Sequence, residues 1–170
     1  MTTKTPRQME GGIDIAARRA ARLAAVQAIY QMELTELDAE SVIAEFVAHR
    51  FRSEDTPAGV PDEAFFSDIV RGVPHRQSDI DRAIAQSLAS DWSLSRIDSI
   101  LRAILRAAVY ELIARGEVPA KSVIDEYLEI THAFFQGDEF GFVNAALDKI
   151  AHHKREMELG KARRDDGTRS

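Results

Sequence analysis

From Asp14 to Leu37 the large apolar residues recur at spacings of three and four: Leu23, Val26, Tyr30, Leu34 and Leu37. That period places them on one face of a helix of about twenty residues, with Asp14 able to cap its start. The spacing predicts a second helix over roughly Asp38–Phe51, with Val42, Ile43, Phe46 and Val47 inward. Residues 52–61 read as a loop. A third helix is expected from Pro61-Asp62, carrying Phe65, Phe66, Ile69, Val70 and Val73. Pro74 should kink or end it, because proline lacks a backbone donor and clashes one turn back. Apolar positions resume at Ile80, Ile84 and Leu88. Between Ile97 and Ile113 they fall at 97, 100, 101, 104, 105, 108, 109, 112 and 113, a stripe wide enough to imply a central helix buried on more than one side. Gly116 can end it. Pro119 opens the next helix, with Val123, Ile124, Tyr127, Leu128, Ile130 and Phe134 inward, and Gly137 closes that one. Asp138 can cap the last helix, which carries Phe142, Val143, Ala146, Leu147 and Ile150.

The pattern predicts an all-α fold: a bundle of six to seven helices, with two three-helix subdomains packed together and joined near Pro74–Trp92. Residues 1–12 read as a disordered basic arm, 13–153 as the helical domain and 154–170 as a charged, disordered tail. Composition agrees with long helices. Apolar residues make up 45% of the 170, while only nine glycines and five prolines interrupt them. There is no cysteine, which excludes disulfides, thiolate metal sites and cysteine nucleophiles. No apolar run approaches the length of a membrane span and the start has no signal-peptide character, so the expected location is the cytoplasm, with no membrane partner.

Charge changes the picture more. The net charge is −6, but residues 1–22 carry +3 and residues 153–170 carry +2, leaving −11 on 23–152. An acidic body repels nucleic acid at long range, so any such contact must be a local basic patch. Arg18, Arg19 and Arg22 form that patch at the start of the first helix, with Lys4 and Arg7 upstream. On a helical wheel Arg18 and Arg22 lie about 40° apart, and Arg19 points nearer the apolar stripe, over the end of the bundle. Cations here oppose the helix dipole, so stability would not select them. The functional reading is a site for RNA or another polyanion; the plain alternative is a solvated helix end.

Asp138–Asn144 is the second candidate. A helix start offers free N–H groups to a phosphate, and an exposed Phe142 would stack on an unpaired base. Asn144 is the only asparagine in the chain. The plain alternative makes Phe142 core and Asn144 a solvated polar residue. No phosphate loop, zinc-binding His pair or nucleophile elbow occurs. The histidines are scattered, and the acidic pairs Asp62-Glu63, Asp125-Glu126 and Asp138-Glu139 sit at or near helix starts, where they suit the dipole. No metal, cofactor or catalytic residue is expected.

Taken in order, Ala17–Leu34, Phe66–Val73, Ala103–Leu112 with Val118-Pro119, Val123–Glu126 and Phe142–Asn144 through Leu147-Asp148 resemble the NusB transcription antitermination family. The resemblance covers roughly residues 16–152. It implies two three-helix bundles and a bacterial cytoplasmic factor that is not an enzyme. It implies binding of boxA RNA together with NusE, a ribosomal protein that doubles as a transcription factor. The pair would join the RNA polymerase antitermination complex that supports ribosomal RNA operon transcription. Arg18, Arg19 and Arg22 fall on the family's arginine-rich RNA-binding segment, and Phe142 and Asn144 on its second RNA region. Tyr30 and Leu34 fall where the family meets NusE. Gly141 and His132 stand where basic residues are common, Asp125 where asparagine is frequent and Ala145 where glycine is. When free, the chain is expected to be a monomer or weak homodimer. The rivals are a NusB-like module of a ribosomal RNA cytosine methyltransferase and a helical adaptor that binds only protein.

Overall fold

The computed structural model describes residues 9–10, 13–51 and 59–156, with side chains from Asp14 onward. Most of the basic arm, much of the 52–61 loop and the tail beyond Glu156 lie outside the described residues. Among the described residues, seven α-helices follow a minimal hairpin in which β1 (Met9–Glu10) pairs antiparallel with β2 (Ile13–Asp14). Helices α1 (Ile15–Thr35), α2 (Ala39–His49) and α3 (Glu63–His75) belong to one compact unit, residues 1–75. Helices α4 (Gln77–Ser87), α5 (Ser99–Ala114), α6 (Ala120–Phe134) and α7 (Glu139–Lys154) belong to a second, residues 76–170. The second unit therefore has four helices rather than three. The apolar positions after Pro74 form a helix of their own, and Pro74 itself sits in the last turn of α3.

In the first unit, Asp14 caps α1 by accepting from the Ala17 N–H (3.1 Å), and Asp38 caps α2 by accepting from Ser41 (2.8 Å). Asp62 caps α3 through the Phe65 N–H (3.0 Å), while its own N–H donates to Ala17 O (2.9 Å) and ties α3 to the first turn of α1. The buried face of α1 shares only Val26 with the stripe of large residues. It is Ala21, Ala25 and Ala28, with Val26 and Ile29. Leu23 and Tyr30 are half-buried, and Leu34 and Leu37 are exposed. Small side chains let α3 approach closely with its bulky Phe65, Phe66, Ile69 and Val70, so the large residues of α1 are left on another flank. Phe66 packs against Phe46 and Phe51, with centroids 5.5 and 4.7 Å away.

In the second unit α5 is central, as its wide stripe implies, and packs against α4, α6 and α7. Arg106 of α5 holds Asp81 of α4 in a two-pronged bond (2.9 and 3.1 Å). The fully buried Glu111 accepts from the Tyr127 hydroxyl of α6 at 2.5 Å. Arg155, expected within a disordered tail, is buried instead. It donates to the carbonyls of Leu112 (2.7 Å), Val118 (3.0 Å), Arg115 (3.0 Å) and Glu111 (3.3 Å). The Leu112 and Val118 carbonyls lie at and just beyond the end of α5, while Glu111 O and Arg115 O also accept from the Arg115 and Val118 N–H groups (2.9 and 3.0 Å); a cation there also suits the dipole.

Candidate nucleic-acid interface

Arg18, Arg19 and Arg22 stand in the first turns of α1, and the fold treats them differently. Arg22 is 4% exposed, its guanidinium 4.9 Å from the centroid of the Phe65 ring. Arg18 lies over the same ring at 4.4 Å, with Nε 3.9 Å from an Asp62 carboxylate oxygen. Of the expected cluster of exposed arginines, only Arg19 is fully exposed. The reason is geometric. Residues 18, 22, 25 and 29 lie on one side of a helix, and that side meets α3. Each guanidinium gains about 0.5–2 kcal/mol from the ring it covers. Arg18 Nε is buried without a hydrogen-bond partner among the described residues.

Arg19, Leu23, Tyr30 and Leu34 share another flank of α1. Residues 19 and 30 are eleven positions apart, three turns and about 16 Å along the axis. Tyr30 is half-buried and Leu34 is 60% exposed. Leu37, also exposed, follows a left-handed turn at Glu36 (φ 59°). Leu23, Tyr30, Leu34 and Leu37 thus form an apolar surface strip that begins at a cation, while Val26 of the same period is buried.

Phe142 and Asn144 belong to the second unit and do not share a face. Phe142 is half-buried, its ring 5.7 Å from that of Trp92, whereas Asn144 is exposed. Asp138 stands at the cap position of α7 without a side-chain cap bond, contrary to the expected capping. Glu139 accepts from the Gly137 N–H instead (3.1 Å). His132 packs on Phe140 with ring centroids 4.2 Å apart. Gly141 is exposed and a Cβ added there would meet nothing within 4 Å, so a longer side chain fits without rearrangement. Phe65 and Trp92 escaped the sequence reading as site residues. Phe65 looked like core, which it also is, and Trp92 fell in the connection after α4. Among the described residues no cluster of three metal-binding side chains occurs, and no helix is long and apolar enough to cross a membrane.

An all-helical fold of two units, with a cationic helix start and exposed aromatic and aliphatic strips, defines a binding protein of the helical-bundle class. A model of the NusB family matches residues 19–152, and the chain belongs to that family. It is 49% identical over 147 residues to the transcription antitermination protein NusB of Caulobacter vibrioides, covering 85% of this chain and 99% of that one. It is 51% identical over 144 residues to the protein of the same name from Maricaulis maris, covering 84% and 90%. Among solved structures, NusB from T. maritima superposes with a TM-score of 0.67 at 32% identity, covering 88% of this chain and 92% of that one. A crystal structure of the antitermination factors NusB and NusE in complex with double-stranded RNA shares the fold, with a TM-score of 0.69 at 21% identity over 82% and 98%.

Proposed function

We propose that this chain is a transcription antitermination factor that binds boxA RNA together with NusE, within the RNA polymerase complex that supports ribosomal RNA transcription. It acts in the cytoplasm as a non-enzymatic factor. The observation that carries this reading is the half-identity to relatives of that name over nine-tenths or more of their own length. The same coverage favours it over a module of a ribosomal RNA methyltransferase. A neighbour in fold is a complex of NusB and NusE with double-stranded RNA.

The geometry supports a division of labour. Arg19 reaches the RNA phosphates directly. Arg18 and Arg22 are held over Phe65 as a fixed patch of positive charge. Tyr30 and Leu34, farther along the flank that begins at Arg19, take NusE, so a strand bound at Arg19 is within reach of both proteins. Phe142 and Asn144 form the second RNA region.

The test is a titration of boxA RNA with and without NusE at two salt concentrations. Replacing Arg18 and Arg19 together by alanine should weaken binding and flatten the salt slope by about 1.4, two phosphate contacts at ~0.7 each for a single strand. An unchanged slope and affinity would rule out this RNA site. Failure of the unaltered chain to bind boxA RNA even with NusE, while NusE itself binds, would favour a protein-only adaptor.

A further inference from the structure

The flank of α7 that begins at the Trp92–Phe142 pair continues into a cationic cleft. Trp92 is 52% exposed yet packs its ring against Phe142 at 5.7 Å. Its loop is anchored, because Arg102 donates to Leu94 O (3.0 Å) and Ile97 O (2.8 Å). Along α7, Lys149 and His153 follow Phe142 by seven and eleven residues. Each is within about 20° of the Phe142 direction, roughly 10 and 16 Å farther along the axis. There Lys149, His153 and Lys154 line a cleft of about 220 Å³ against Gln86 and Ser87 of α4. Neither lysine has a carboxylate within 4.0 Å among the described residues. Asp148, next to Lys149, faces His152 at 3.6 Å. Two lysines and a histidine facing one cleft in an acidic body, beside an exposed aromatic pair, are the two elements of a single-strand nucleic-acid track: stacking platforms and a positive groove along the backbone.

We propose that this edge of the second unit carries unpaired RNA: a base stacks on the Trp92–Phe142 pair and the following phosphates occupy the Lys149–His153–Lys154 cleft. The inference rests on the RNA-binding reading above and extends the RNA region beyond Phe142 and Asn144. Trp92 is the only tryptophan in the chain, so its emission reports on the platform directly. The experiment titrates single-stranded boxA RNA, and in parallel NusE alone, into the full chain and into three variants, Trp92→Phe, Trp92→Ala and the double variant Lys149→Gln, Lys154→Gln. Stacking should quench Trp92 emission as RNA saturates. Trp92→Phe should retain affinity within about threefold, whereas Trp92→Ala should lose about tenfold. The lysine variant should flatten the salt slope by about 1.4. Both lysines are exposed, so the melting temperature of that variant should be unchanged. RNA binding with unchanged Trp92 emission and unchanged slope in the lysine variant would overturn the proposal while leaving boxA recognition intact. Quenching by NusE without RNA would overturn it in favour of a protein-docking edge. No RNA binding by the unaltered chain, with or without NusE, would overturn both readings together.

Discussion

Arg19 and Arg22 are one helical turn apart, but one is exposed and the other is sealed over Phe65. Their alanine variants should therefore separate binding from stability. Arg22→Ala removes a packed stem and a stacked cation, and is expected to destabilise the fold by about 2 kcal/mol. Arg19→Ala should leave the melting temperature unchanged and weaken RNA binding. Thermal unfolding beside RNA titration of the two variants checks this. Glu36 offers a simpler case. It holds φ 59° at the end of α1, a conformation glycine adopts without strain. Glu36→Gly should stabilise the protein by about 0.5–1 kcal/mol, seen as a rise of about 2 °C in melting temperature.

At the scale of elements, helix ends and helix pairs decide the outcome. Arg155 satisfies four carbonyls around the end of α5. Arg155→Ala strands the Leu112 and Val118 carbonyls, while those of Glu111 and Arg115 keep their backbone N–H bonds, and should cost about 2–4 kcal/mol, measurable by urea denaturation. Glu40 of α2 is joined to Arg71 of α3, and the guanidinium hydrogen bond holds its carboxyl below the usual 4.5. The sign follows: this link is intact above the ordinary glutamate range and is lost as pH falls through the lowered value. Carboxyl titration by NMR should show that depression, and Arg71→Ala should abolish it. On α7, Gly141 faces open space. Gly141→Lys should raise helix stability by up to about 1 kcal/mol and steepen the salt dependence of RNA binding by about 0.7, one added phosphate contact.

Over the whole molecule, an acidic body of −11 sets how the local patches work. Long-range repulsion opposes RNA, so short-range contacts must recover the affinity. Binding of boxA RNA by the chain alone should be weak near physiological salt and rise at least tenfold with NusE, read by fluorescence anisotropy. Leu34→Ser, on the exposed strip of α1, should remove that gain while leaving the binding of RNA alone unchanged.

Much of this was legible in the chain. The helix-period spacing, the capping Asp14 and the absence of cysteine determined an all-helical fold without a disulfide or thiolate site, and the central place of α5 followed from its wide apolar stripe. The clustering of Arg18, Arg19 and Arg22 marked the candidate RNA segment. Periodicity, however, identifies a face without saying what meets it. Only the tertiary structure decided that alanines of α1 receive the bulky side chains of α3, because close packing there needs small residues on one partner. That choice left Leu34 outside and drew Arg18 and Arg22 onto Phe65. Trp92 and Arg155 belong to the same class. Each lies in or beside a segment without apolar period, and its role came from partners 50 and about 40 positions away in the chain, Phe142 and the end of α5.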